Sequence, residues 1–130
     1  MLLIGEANST LPDNQEALAP EPDFSHGYYL MKLLGLSRDE YLKRYDRALL
    51  SGYKWSPWKA QKMATALLLN APQDQVIVLL GQRVTKAFGL NYMPFTAKGR
   101  YRILPHPGKK NSTWDMEENC ARARRLLGLV

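Results

Sequence analysis

The sequence predicts an α/β protein, a three-layer α/β/α sandwich built on a mostly parallel sheet of about four strands. Three observations predict it. Strand and helix signals alternate along the chain, the pattern of crossover connections between parallel strands. The strongest strand signal, Gln75-Val76-Ile77-Val78-Leu79-Leu80, is apolar almost throughout, as a strand covered on both faces must be. A chain of 130 residues with 45% hydrophobic content suffices for one core, so residues 1–130 read as a single domain.

The elements follow in order. Leu2-Leu3-Ile4 is a short apolar run, and the glycine that closes it, Gly5, favours a buried strand. Residues 10–23 form a long polar loop with Pro12, Pro20 and Pro22. Loops of that length in a compact domain are usually functional or disordered. Ser25 caps a helix over about His26 to Leu34, and Gly35 stops it. Ser37 and Glu40 form a capping box for a second short helix. Asp46 to Leu50 is a weaker strand, ended by Ser51-Gly52.

Ser56 followed by Pro57 opens a helix that runs to about Asn70. Its residues Ala60, Met63, Ala64, Leu67 and Leu68 share one face. After the 75–80 strand and Gly81, Gln82 to Phe88 is a short helix stopped by Gly89. A loop leads to the strand Tyr101 to Leu104. Asn111 or Ser112 caps the last helix, with Ser112 and Asp115 as an approximate capping box. Met116, Cys120, Ala123 and Leu127 line its apolar face.

The net charge of +6 is unevenly placed. Residues 1–27 hold five acids and no Lys or Arg, whereas residues 38–62 carry +4 and residues 98–130 carry +5. Basic blocks of this kind suit a phosphate backbone, and equally a solvated surface. No apolar run approaches the roughly 20 residues that span a bilayer, so no membrane partner is expected. The N-terminus has no signal-peptide pattern. The single cysteine, Cys120, excludes an internal disulfide and favours a reducing compartment, the cytoplasm. No Cys/His cluster has metal-ligand spacing, and no metal or cofactor is expected.

Ligands of open α/β sheets bind beyond the carboxyl ends of the strands. Two polar loops leave such ends: Gly5-Glu6-Ala7-Asn8-Ser9 and His106-Pro107-Gly108-Lys109-Lys110-Asn111. In the second, Pro105 and Pro107 bracket His106 and restrict the backbone that presents its imidazole. If the 2–4 and 101–104 strands lie close in the sheet, Glu6, Asn8, His106 and Asn111 converge.

These loops resemble the uracil-DNA glycosylase superfamily. Its members carry a glycine-led motif after the first strand, in some branches Gly-Glu-Ala-Pro-Gly, and a His-Pro-Ser motif after the last. The stretch Leu104 to Trp114 is similar to a compact bacterial and phage branch with Leu-Pro-His-Pro-Ser-Gly-Arg-Asn followed by Trp. Asp46-Arg47, Lys54-Trp55-Ser56 and Leu79 to Val84 also look like segments of that branch, so the resemblance spans nearly the whole chain.

The resemblance implies a uracil-DNA glycosylase-like fold and a DNA-binding hydrolase of the base-excision kind. Such an enzyme flips a uracil-like or modified base and cuts its N-glycosidic bond. It implies that His106 donates to the leaving base and that Glu6 or Asn8 handles water or the sugar cation. Gly5, Ala7, Phe24, Ser25, His26 and Tyr28 would line the base pocket. Ser9, Lys109, Lys110 and Asn111 would hold phosphates and the strand. The chain departs from the pattern at four places. Asn8 stands for the branch's proline, Ser9 for its glycine, Gly108 for the serine after His-Pro, and Ala48 for a base-reading asparagine. The resemblance therefore leaves the base open, and it leaves two further readings: a non-catalytic module binding a nucleobase, nucleotide or DNA, and an enzyme acting on a free nucleotide.

Overall fold

The structure, a computed structural model, describes residues 1–6, 17–21, 25–51, 54–108 and 111–129. The chain runs through β1 (Leu2–Gly5), α1 (His26–Leu33), α2 (Arg38–Arg44), β2 (Asp46–Leu49) and α3 (Pro57–Asn70). It continues through β3 (Ile77–Leu80), α4 (Gln82–Ala87), β4 (Thr96–Lys98) and β5 (Tyr101–Leu104). A 3-10 turn (Ser112–Asp115) then leads to α5 (Glu117–Leu126).

The sheet has five strands in the order β2-β1-β3-β5-β4. β1 pairs in parallel with β2 and β3, β3 pairs in parallel with β5, and β4 is antiparallel to β5. The α/β class stands, and the expectation of about four strands is corrected to a mixed sheet of five. The extra strand is the antiparallel edge. Thr96-Ala97-Lys98 is short and mostly exposed, and it turns back into β5 through Gly99 at φ +59°. Three residues without an apolar face carry almost no strand signal, so pairing with β5 decides their conformation.

Side chains alternate across the sheet and build two cores. Leu3, Val78, Leu80 and Leu104 face a cluster with Leu30, Met31 and Leu34 at α1, Tyr41 of α2, and Ala123 and Leu127 at α5. Leu2, Ile4, Ile77, Leu79 and Ile103 face the other cluster, with Ala60 and Ala64 of α3 and Val84 of α4. Helices thus cover both faces. All four β3 residues are fully buried, and each such aliphatic side chain contributes roughly 1.5–3 kcal/mol.

The caps form where the sequence places them. Ser25 Oγ accepts from the Tyr28 N–H, and the Ser37–Glu40 capping box is complete. Ser56 caps α3, and Gly35 and Gly89 adopt positive φ beyond α1 and α4. Two details differ. Met63 is 43% exposed, because it sits at the margin of the α3 apolar face beside a cleft rather than over the core. Met116 is 57% exposed, because the 3-10 turn comes first and leaves Met116 at the N-cap of α5. Asn111 caps that turn rather than α5, with its side chain accepting from the Thr113 N–H.

The described part of the long loop is tied down. Leu18 is buried, and its carbonyl accepts from the Tyr41 hydroxyl at 2.8 Å. The Ala19 carbonyl accepts from Ser25 Oγ at 3.2 Å, and Glu21 pairs with Arg38 at 2.6 Å. Gly27 makes this close packing possible, since a Cβ there would collide with the carbonyl oxygens of Leu18 and Ala19. Gly27→Ala is expected to destabilise the fold by about 1–3 kcal/mol, read as a lower urea midpoint. An unchanged midpoint would mean that residues 17–19 do not pack on α1.

Candidate active site

β1, β3 and β5 run in parallel, so their carboxyl ends share one edge of the sheet. Glu6 follows β1, Gly81 follows β3, and Pro105-His106 follows β5. The strands carrying Glu6 and His106 are not neighbours, because β3 stands between them. Two strand spacings amount to about 9.6 Å, and a side chain in the middle would keep the outer two apart. The middle residue is glycine. A Cβ on Gly81 would lie 3.2 Å from His106 Cβ and 3.5 Å from Glu6 Oε1. Gly81 also has φ +100°, a conformation that L side chains rarely adopt. Its N–H donates to the Leu104 carbonyl at 2.8 Å, and its own carbonyl accepts from the buried Thr85 hydroxyl at 2.8 Å. The chain leaves β1 toward β2 and returns across it to β3, which makes this edge a topological switch point.

The backbone of each partner is braced. The Glu6 carbonyl accepts from the Ser51 N–H at 2.9 Å, beyond the end of β2. The His106 carbonyl accepts from Asn111 Nδ2 at 2.9 Å and from Trp114 Nε1 at 3.1 Å. Pro105 and Pro107 are buried on either side. The His106 ring stands edge-on to His26, the first residue of α1, with ring centres 4.5 Å apart. Gly108 lies beside the ring, where a Cβ would make ordinary contact with the imidazole at 3.6 Å. His106 Nδ1 is buried and has no hydrogen-bond partner among the described residues.

Burial and charge set the protonation states. Burial holds the His106 imidazole below its ordinary range, and the Arg83 guanidinium adds to this. His26 is lowered by burial and by His106, with Glu6 pulling the other way. The Glu6 carboxyl is pushed up by burial, while Arg83 and His26 draw it back. Arg83 Nη1 lies 3.9 Å from Glu6 Oε2 on a side chain that is 60% exposed, so the ion pair is weak. The edge therefore presents a neutral imidazole, which donates from one nitrogen, opposite a half-buried carboxyl.

His26 stands against the His106 ring and within electrostatic reach of Glu6, whereas Gly5 ends β1 beside Leu18 and Leu49. Ser25 instead serves α1, accepting from Tyr28 N–H and donating to Ala19. Tyr28 is half-buried against the α1 core cluster, edge-on to Tyr29 with Lys32 above it. Both ends of the Asn111 amide are engaged, on the 3-10 turn and on the His106 carbonyl. Ala7, Asn8, Ser9, Phe24, Lys109 and Lys110 lie outside the described residues. Sequence reasoning missed Gly81, Arg83 and the Trp114 clamp. Gly81 was visible only as the end of the strongest strand, because its role depends on strand order. Among the described residues, no three His, Cys, Asp or Glu side chains are grouped to hold a metal ion, and no helix is long and apolar enough to cross a membrane.

No family model, curated protein or solved structure matches this chain.

The electrostatics have a measurable consequence. Both imidazoles are held below 6.5, so below pH 6.5 the unfolded chain takes up protons that the folded site resists. Their contribution to stability is complete above pH 6.5 and falls as the pH drops beneath it. Glu6 has the opposite sign, because its ionisation above the usual 4.5 costs the folded state. His106→Asn should flatten the loss of urea stability below pH 6.5. An unaltered slope would show that His106 is solvated much as in the unfolded chain.

Proposed function

We propose that this chain is a DNA glycosylase-like protein with a uracil-DNA glycosylase-like arrangement of its sheet. It binds DNA and hydrolyses the N-glycosidic bond of a flipped uracil-like or modified base. One observation carries the reading: Glu6, from the end of β1, and His106, from the end of β5, flank Gly81, a residue without a side chain, with the carboxyl half-buried and the imidazole held below its ordinary range by burial. Breaking the bond between the sugar C1′ and the base nitrogen leaves positive charge on the sugar and negative charge on the base. The neutral His106 donates a hydrogen bond to the base oxygen as that charge develops. Ionised Glu6 stabilises the sugar cation from the other side and orients the attacking water. The bond from C1′ to the base nitrogen breaks, the water oxygen bonds to C1′ and one water proton passes to the Glu6 carboxylate; the base leaves as an anion and takes up that proton, which restores ionised Glu6.

By the same resemblance Asn8 shares the water with Glu6, and Ser9, Lys109 and Lys110 take phosphates. Asn111 holds the His106 backbone rather than the strand. Work on DNA in a reducing cytoplasm agrees with the single, half-buried Cys120.

A single-turnover base-release assay tests the reading. The substrates are single- and double-stranded DNA carrying uracil, hypoxanthine, xanthine or hydroxymethylated pyrimidines. Release should fall roughly 100- to 1,000-fold in His106→Ala, and strongly in Glu6→Gln, with the fold intact. Gly81→Ala should also suppress release, by parting Glu6 from His106. No release from any substrate, together with salt-sensitive DNA binding, would favour a non-catalytic binding module instead.

A further inference from the structure

Beside Glu6 lies a concave surface that the proposed reaction does not use. It is a cleft of about 380 Å³ between α3 and α4, lined by Trp55, Pro57, Gln61, Arg83, Lys86 and Ala87. That volume is within the range of small-molecule sites. Trp55 is half-buried against the core cluster under α3, which fixes the plane of its indole. Arg83 and Lys86 stand one turn apart on α4, so both point to the same side. The Arg83 guanidinium lies 5.8 Å from the centre of the Trp55 ring. No acidic side chain is among the described residues lining the cleft. Arg83 also faces Glu6 Oε2, so one side chain borders both the cleft and the candidate active site.

We propose that this cleft is a nucleotide subsite. It receives a nucleotide next to the flipped one on the same strand, with the base stacked on Trp55 and the phosphate held by Arg83 and Lys86. The inference rests on the glycosylase reading for the identity of the strand. A fixed aromatic plane stacks any base, since every base offers a π face. Guanidinium and ammonium groups with no competing carboxylate in the cleft complement a phosphate, and the guanidinium fork grips it in two places. Among the described residues, the acid paired with Arg83 is Glu6, and that pair is long and involves an exposed Arg83 side chain. A phosphate therefore displaces Glu6 from Arg83 at little cost.

The test is a fluorescence and anisotropy titration of the whole chain with oligothymidylate that carries no target base. An abasic oligomer of equal length serves as a phosphate-only probe. The wild type should bind oligothymidylate several-fold more tightly than the abasic strand. Trp55→Ala should weaken oligothymidylate binding roughly tenfold and remove the difference between the two strands, whereas Trp55→Phe keeps most of it. Arg83→Gln and Lys86→Gln, both at exposed positions, should each reduce the slope of log affinity against log salt by about one. Equal binding of the two strands by wild type and Trp55→Phe, or salt slopes unmoved by either cation variant, would overturn the subsite. These readouts need no base release. A failed release assay leaves them standing, and active enzyme with unchanged binding in these variants would remove the subsite alone.

Discussion

Between Glu6 and His106 runs a strand whose exit residue has no side chain, and the candidate active site depends on that gap. β3 is the most deeply buried strand and lies at the centre of the parallel set, so it fixes where β1 and β5 end. Glycine at its exit allows φ +100° and leaves space that is bordered by the Glu6 carboxyl and by the Cβ of His106. The buried Thr85 hydroxyl and the Leu104 carbonyl hold Gly81 in place through its backbone. The functional edge is therefore set by main-chain geometry in the core rather than by a flexible loop.

The groups at this edge constrain one another's charge. His26 lies within electrostatic reach of both His106 and Glu6, and the Arg83 guanidinium acts on both Glu6 and His106. Partial burial makes a charged imidazole unfavourable, and the nearby guanidinium makes it more so. In the proposed reaction neutral His106 is the useful form, because it would stabilise a developing negative charge without needing a counter-ion in the resting site. Among the described residues, Glu6 is the acid that faces Arg83 and His26, and its weak pairing with an exposed Arg83 leaves both groups available.

Support reaches this edge from several parts of the chain. Asn111 and Trp114 both donate to the His106 carbonyl, so the helical turn after the loop holds the loop's histidine. On the other side Tyr41 holds Leu18, and Leu18 and Ala19 pack against Gly27 beside His26. The position of His26 thus depends on a hydrogen bond from α2 and on the space left by a glycine.

Much of this is legible in the residues themselves. The caps at Ser25, Ser37 and Ser56, the stops at Gly35 and Gly89, and the all-apolar β3 are local effects, set by neighbours a few positions away. Glu6 and His106 stand out for the same reason, each being a polar residue placed directly after an apolar strand. Other features are non-local. The Thr96–Lys98 strand exists only because β5 pairs with it. Met63 and Met116 follow helical spacing, yet they end up exposed because packing, not period, chooses the buried arc. By itself, the sequence determined the α/β class, most elements and the two strand ends, at Glu6 and His106, that border the candidate site. Only the tertiary structure decided that β3 separates those ends and that Gly81, without a side chain, stands between Glu6 and His106. It also decided that Arg83 joins the site to a neighbouring cleft, because strand order and side-chain reach across the sheet are properties of the whole packed chain.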